Sequence, residues 1–126
     1  MKESEIQAKV LGDLKSFGKF AYVFKIIEAN EPGIPDIFFC TSISGPIHIE
    51  MKQLGQKPKP HQDAKMDLAD MVGCRSFVVD DISGWIALKK HLGINREALI
   101  EKGLCNDHSY RMAFTKAELA RTASKS

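Results

Sequence analysis

The chain has 126 residues, of which 44% are hydrophobic, and this suits one compact domain with its own core. The formal net charge of +2 is mild, so it permits a nucleic-acid partner without requiring one. No apolar run approaches the roughly 18 residues of a membrane helix, and no apolar segment follows the N-terminus as in a secretory signal. We therefore expect no membrane partner and a cytoplasmic location.

The first half of the chain predicts a helix followed by three strands. Residues 3–17 form the helix, since four apolar residues recur at spacings of three or four: Ile6, Val10, Leu14 and Phe17. Residues 20–28 are rich in aromatic and β-branched types, which are typical of a strand. A proline-containing loop leads to a second strand over residues 36–41, whose composition indicates burial on both faces. Strict alternation predicts the third strand over residues 47–52.

The second half predicts a helix, a strand and further helical segments. The helix covers residues 61–72 and stops at Gly73, with these expected inward positions: Ala64, Leu68, Met71 and Val72. A fourth strand over residues 75–80 and a helix over residues 83–92 follow. Beyond them we expect these elements: a helix from its N-cap Asn95 through Lys102, a short strand over residues 110–114 and a terminal helix over residues 115–122.

The order α-β-β-β-α-β predicts an α/β fold in which helices flank a mixed central sheet of four or five strands. Residues 1–93 would form the core of this domain. Residues 94–126 would form a helical C-terminal extension packed on the same domain. We therefore expect a single structural unit rather than two separate domains.

Three charged side chains are predicted to meet where the second and third strands lie side by side. Side chains alternate along a strand, so His48, Glu50 and Lys52 share one face, while the apolar residues between them share the other. If the second and third strands pair as an antiparallel hairpin, the start of one lies beside the end of the other. Asp36 then falls next to Glu50 and Lys52.

Such a cluster has a chemical use. Two close carboxylates repel each other unless a cation joins them, and oxygen ligands with water suit Mg²⁺ or Mn²⁺. That ion can bind a phosphodiester oxygen and activate a water, which a lysine can orient or deprotonate. The ordinary alternative is an exposed ion pair between Glu50 and Lys52, with Asp36 an unremarkable residue after a turn.

The order and spacing of these residues resemble the PD-(D/E)xK nuclease superfamily, and within it the VRR-NUC branch. That branch is marked by a Gly-x-Pro-Asp turn, a Val/Ile-Glu-x-Lys strand, a Gly-containing loop and a glutamine that opens the next helix. Here these features are Gly33 to Asp36, Ile49 to Lys52, Gly55 and Gln62, while Ser4 to Gln7 resembles the family's N-terminal Glu-x-Gln helix. The match covers about two thirds of the chain and implies a restriction-endonuclease-like core.

The resemblance also implies roles for single residues. Asp36, Glu50 and the Met51 carbonyl would ligate Mg²⁺ or Mn²⁺, and Lys52 would act on the attacking water. Glu5 would reach the metal directly or through water; alternatively it is a solvated first-turn carboxylate favoured by the helix dipole. A further member is Gln62, which would approach the metal or the scissile phosphate, or would simply open its helix.

A basic loop leaves the third strand and is stiffened by two prolines. It contains Lys57 and Lys59, and His61 follows it. A rigid basic loop beside a metal is suited to hold a DNA backbone. A solvated linker of the same composition is the alternative.

Together, the residues and the resemblance predict a Mg²⁺- or Mn²⁺-dependent DNA endonuclease that is selective for Holliday junctions or other branched DNA. Junction-resolving nucleases pair two active sites, so a homodimer is expected. A function in DNA repair and an origin in a phage or mobile element would accompany that activity. The alternatives are a nicking or restriction-type nuclease, and a catalytically silent DNA-binding module of the same fold.

Overall fold

A computed structural model describes residues 2–27, 32–105 and 113–124. Its elements are α1 (Glu3–Ser16), a 3-10 turn (Gly18–Phe20), β1 (Ala21–Lys25), β2 (Ile37–Thr41), β3 (Gly45–Met51), α2 (Pro60–Met71), β4 (Arg75–Val79), α3 (Ile82–Leu92), α4 (Arg96–Lys102) and α5 (Lys116–Ser124). The order agrees with the predicted one through residue 102. The short strand predicted over residues 110–114 lies largely outside the described residues.

The described strands form one four-stranded sheet in the order β1-β2-β3-β4. The first three strands pair antiparallel, and β3 pairs parallel with β4 through the crossover helix α2. Because Ile37 of β2 lies opposite Ile49 of β3, the start of β2 lies beside the end of β3. The predicted α/β architecture and the predicted hairpin are therefore both confirmed.

The core lies against one face of the sheet, here called the inner face. The apolar stripe of α1 is buried as predicted, and the inner residues of β3 (Ile47, Ile49 and Met51) are fully buried with it. Trp85 of α3 joins this core through an edge-on contact with the ring of Phe39, at 6.1 Å between centroids. Alternation with a period of two was therefore enough to identify which side of β3 faces the core.

The opposite, outer face of the sheet is only partly covered. The prediction that β2 is buried on both faces was wrong, because its outer residues Phe38 and Cys40 are only half-buried. The helix α2 lies over this face on the β4 side, where it makes most of its contacts with the sheet. The β1 side of the outer face keeps large side chains exposed.

The predicted inward face of α2 was also wrong. Leu68, Met71 and Val72 are exposed, with Met71 at 81%, and Met66 is the buried residue. The stripe of α2 that faces the protein includes Gln62, Lys65, Met66 and Ala69, which are the residues with reduced exposure. Two of its members are polar, so an apolar pattern could not reveal it.

The turn between β2 and β3 is held by its own side chains. The Thr41 hydroxyl oxygen accepts a hydrogen bond from the Ser44 backbone N–H at 3.0 Å and lies 2.8 Å from the Ser44 hydroxyl. The guanidinium of Arg75, at the start of β4, donates to the Ser44 carbonyl at 2.8 Å. These contacts fix the length of the turn and tie it to the neighbouring strand.

The segment after α3 continues the same core. As predicted, Asn95 caps α4, since its side chain accepts a hydrogen bond from the Ala98 N–H at 2.8 Å. Ile94 and Leu99 are buried together with α1 and the sheet. The division of the chain at residue 93 stays a prediction. Within the ranges that the structure describes, no helix has the length and apolar character needed to span a bilayer.

Candidate active site

Asp36 is delivered by a tight loop that leans on α2. Gly33 has φ of +87°, and a Cβ atom there would lie 2.6 Å from the His61 carbonyl oxygen, so only glycine fits this approach. Asp36 comes directly before β2, and its Oδ2 accepts a hydrogen bond from the Met51 backbone N–H at 2.8 Å. This bond holds the carboxylate at the end of β3, beside the residues that β3 carries.

Glu50 lies on the outer face of β3 and is buried, with only 3% of it exposed. Its Oε1 accepts a hydrogen bond from Gln62 Nε2 at 2.9 Å and lies 3.5 Å from Lys52 Nζ. Its Oε2 is buried and has no hydrogen-bond partner among the described residues. An unpartnered buried carboxylate oxygen is costly, and a bound cation would satisfy it.

The electrostatics of Glu50 agree with this geometry. The pKa of its carboxyl is raised to about 7, mainly by burial and then by the negative charge of Asp36, against the opposing effect of the Lys52 ammonium. The charge of Glu3 adds a smaller upward contribution. Near neutral pH the carboxyl is therefore poised between its two forms, and a divalent cation would favour the charged one.

Lys52 lies just past the end of β3, on the same side as Glu50. Its side chain is 13% exposed, and its backbone N–H donates to the Val79 carbonyl at 3.0 Å. The ammonium is thus held near the carboxylate by both the strand and the ion pair. The predicted convergence of Asp36, Glu50 and Lys52 is what the geometry shows, while their roles in catalysis stay a prediction.

Gln62 connects this cluster to α2. Besides donating to Glu50, it accepts a hydrogen bond from the Lys59 backbone N–H at 2.9 Å through Oε1. It therefore closes a capping interaction at the first turn of α2 and restrains the buried carboxylate at the same time. The glutamine has a structural function here whether or not it also touches a phosphate.

The other predicted site residues lie farther out. Glu5 is exposed and lines a shallow cleft with Lys2 and Gln53. The side chains of Lys57, Lys59 and His61 are exposed on the loop and at the start of α2. Of Met51, only the backbone faces the cluster, since its side chain is fully buried in the core.

Sequence reasoning missed Glu3, whose charge acts on Glu50. Glu3 lines an open cleft of about 430 Å³ with Gln7 and Gln53, next to the end of β3. The helical period could have predicted that Glu3 faces inward, because it lies three residues before Ile6 and seven before Val10, on the buried side of α1. Glu5 does not share that spacing.

The donor set fits a hard divalent cation that keeps part of its water. Mg²⁺ is usually held by one or two carboxylates and otherwise by water, and Asp36 and Glu50 supply two, with the Met51 backbone bonded to Asp36 through its N–H. Among the described residues no three His, Cys, Asp or Glu side chains converge on one metal position. An ion here would therefore depend on backbone and water oxygens in addition to the two carboxylates.

Comparison with known proteins identifies the fold. No protein-family profile and no curated protein matches the chain. One solved structure, described as "VRR_NUC domain", superposes with a TM-score of 0.62 at 23% identity, over 71% of this chain and 95% of its own. Another, described as "VRR_NUC domain protein", gives a TM-score of 0.56 at 16% identity, over 82% and 91%. The predicted resemblance is thus confirmed at the level of the fold, and this chain shares the fold of VRR_NUC domains.

Proposed function

We propose that this protein is a divalent-metal-dependent DNA endonuclease whose catalytic centre is formed by Asp36, Glu50 and Lys52. The observation that carries the proposal is the buried Glu50 carboxylate, with one oxygen unpartnered and with Asp36 and Lys52 beside it. A merely structural ion pair would not keep a second carboxylate close to a buried one, since this raises the cost of charging both. The fold shared with VRR_NUC domains supports the same conclusion.

The residues divide the work as follows. Asp36 and Glu50, with the Met51 carbonyl, hold Mg²⁺ or Mn²⁺, which supplies positive charge to the phosphodiester and makes a nearby water more acidic. As an ammonium, Lys52 would orient the attacking water and offset negative charge on the phosphate; as the neutral amine, it would instead accept the proton of that water. Gln62 restrains Glu50 in a single position, because its amide donates to Oε1.

The substrate is DNA, and the exposed basic loop supports this. Lys57 and Lys59 are exposed near the centre, and His61 follows on the first turn of α2. Cationic side chains beside a cleavage site hold a DNA backbone through its phosphates, without reading its sequence. Glu5 would act on the metal through water, from the cleft that it lines with Gln53.

Selectivity for branched DNA and a homodimeric state belong to the same proposal. Two strands of a junction need two centres, and a C2 dimer supplies them. A nicking or restriction-type nuclease is the alternative within the same chemistry.

The test is cleavage of labelled four-way junctions, flaps, single strands and linear duplex with Mg²⁺, Mn²⁺ or EDTA. We expect cleavage with either metal, none in EDTA, and preference for the junction. Asp36→Ala, Glu50→Ala and Lys52→Ala should each reduce the rate at least 100-fold, the usual scale for an electrostatic group in a catalytic centre. Lys90→Ala, at an exposed position on α3, serves as the control and should leave the rate unchanged.

Each part of the proposal can fail separately. If no DNA is cut with either metal, the protein is a silent module and the enzymatic proposal is wrong. If cleavage survives Asp36→Ala or Lys52→Ala, the centre lies elsewhere. Cleavage without preference for branched substrates would leave a nuclease of another selectivity. A single monomeric species in sedimentation at micromolar concentration would contradict the dimer.

A further inference from the structure

Four rings contact one another in tilted and edge-to-face arrangements across three strands on the outer face of the sheet. We call Tyr22, Phe24, Phe38 and His48 the aromatic strip. The ring centroids of Phe24 and Phe38 are 5.2 Å apart, and those of Phe38 and His48 are 5.3 Å apart. Tyr22 lies 5.6 Å from Phe24 and 6.2 Å from Phe38. The strip therefore forms one continuous aromatic surface from the edge strand β1 to β3.

The strip is uncovered at its β1 end. Tyr22 is 66% exposed and Phe24 is 41% exposed. They are uncovered because α2 lies over β4, at the opposite end of the same face. Cross-strand aromatic pairs stabilise a sheet, and this accounts for Phe38 and His48, which are half-buried. It does not account for leaving a tyrosine two-thirds exposed in a contiguous apolar surface, which is the mark of a binding surface.

The strip ends at the candidate active site. His48 precedes Glu50 by two residues on β3, and Asp36 precedes Phe38 by two residues at the start of β2. Strand alternation therefore puts rings and carboxylates on the same face, as neighbours two residues apart along the chain. A polymer lying along the strip would lead directly to the carboxylates.

The groups that flank the exposed end of the strip are basic. Lys25 follows Phe24 at the end of β1 and is exposed, although alternation puts its side chain on the opposite side of this edge strand from the rings. Lys19 is also exposed and lines a cavity that Tyr22 shares. A surface of flat rings with ammonium groups at its margin matches a strand of bases linked by phosphates, because bases stack on rings while phosphates pair with cations. It does not match an acidic or a purely apolar partner as well.

We propose that the aromatic strip is a stacking platform for single-stranded nucleic acid, on which bases lie against Tyr22 and Phe24. Binding there would hold an unpaired strand beside the carboxylates without reading its sequence, since every base has a face that can stack. This goes beyond phosphodiester cleavage, and it can be tested without any cleavage.

The experiment is fluorescence anisotropy of the full chain with a labelled oligothymidylate of about 16 nucleotides, in EDTA so that no strand is cut. Phe24→Ala and Tyr22→Ala should each weaken binding about tenfold, the scale expected for one lost base-stacking contact. Tyr22→Phe keeps the ring and should bind as the unmodified chain does. The matched control Ile86→Ala removes an apolar side chain of intermediate exposure, 51%, from α3 on the other side of the sheet, and should change nothing.

A second ligand separates stacking from charge. An abasic strand of the same length offers phosphates without bases, so Phe24→Ala should not alter its weaker binding. Equal losses with both ligands would overturn the proposal, as would affinity for oligothymidylate that is unchanged in both alanine variants. If Tyr22→Ala and Phe24→Ala instead convert a dimer to a monomer in sedimentation while leaving oligonucleotide affinity intact, the strip covers a second copy and the proposal is wrong. None of these outcomes bears on cleavage, so the proposed nuclease activity stands or falls separately.

Discussion

The helices α1 and α2 lie on opposite faces of the sheet and are held there by different forces. α1 buries an apolar stripe, with Val10 and Leu14 fully enclosed. α2 buries Met66 but leaves the apolar residues Leu68 and Met71 exposed, and the side that faces the protein begins with Gln62, which is bonded to Glu50. One helix is therefore attached by the hydrophobic effect, and the other largely by polar contacts made at the candidate active site.

The position of α2 and the charge of the carboxylate cluster are therefore coupled. Glu50, Gln62 and the loop at Gly33 all meet at the first turn of α2. A change in the charge of the cluster, or the binding of an ion to it, should therefore alter the stability of α2 and not that of α1. Four substitutions or conditions probe this contrast.

The largest effect is expected in α1. Leu14→Ala should lower the free energy of unfolding by about 2–5 kcal/mol, because it removes a fully buried side chain and leaves a cavity. Its counterpart on α2, Leu68→Ala, should change the free energy by about 0.5 kcal/mol or less, since Leu68 is exposed. Urea denaturation measures both. Equal losses would mean that the apolar residues of α2 are covered in solution.

Glu50 should make the metal-free protein less stable as pH rises. Its pKa is raised from 4.5 to about 7 in the folded state, so the native chain binds the proton more tightly than the unfolded chain. The resulting stabilisation, of about 3 kcal/mol, is complete below pH 4.5 and is lost as pH rises through about 7.

Urea denaturation in EDTA across this range measures the slope, and Glu50→Gln should remove this contribution to it. Mg²⁺ or Mn²⁺ should raise the melting temperature more at pH 8 than at pH 5.5, because the metal binds the charged carboxylate. An identical pH slope in Glu50→Gln would show that the burial of Glu50 is not its origin.

Gly33 tests the contact between the Asp36 loop and α2. Gly33→Ala should cost about 2 kcal/mol, because the new Cβ would meet the His61 backbone at 2.6 Å while φ is +87°. Gly45→Ala is the control with a similar positive φ of +69° and open space around the added carbon, so it carries only the conformational cost, about 1 kcal/mol. Chemical denaturation compares them, and equal losses would contradict a specific contact with α2.

The smallest effect is expected from Gln62. Gln62→Ala removes the bonds to Glu50 and to the Lys59 N–H, and should lower the free energy of unfolding by about 1 kcal/mol. Gln56→Ala removes a longer, exposed bond to the Gln53 N–H, 3.4 Å in length, and should be nearly neutral. Hydrogen exchange should quicken at the first turn of α2 in Gln62→Ala and stay unchanged in α1. Faster exchange in both helices would contradict the proposed difference in how α1 and α2 are attached to the sheet.

The features that could be predicted correctly are those that follow from the short periodicity of side chains along a strand or a helix. The alternation of β3 identified Ile47 and Ile49 as inner residues and put Glu50 with Lys52 on the outer face, and the antiparallel pairing then brought Asp36 to them. These inferences need only the geometry of a strand and one hairpin.

The remaining features depend on partners far apart in the chain. The inward side of α2 could not be predicted because Gln62 faces the protein only on account of Glu50, which lies on another element. The burial of Glu50, and hence its raised pKa, arises from the neighbours assembled around it. The helical period could have identified Glu3 as a residue on the inward side of α1, but the resemblance to a family pattern implied Glu5 instead.

The turn at Thr41 and Ser44 has a consequence for how this centre tolerates insertions. It lies at the far end of the hairpin from the carboxylates, yet it sets which residues of β2 and β3 stand opposite each other. One residue added there would shift the pairing register of β2 and β3 by one residue. Ile49 would then face outward, and Glu50 would face the hydrophobic core. The hydroxyl pair of Thr41 and Ser44 therefore helps to set the strand register on which the candidate active site depends, although it touches none of the carboxylates.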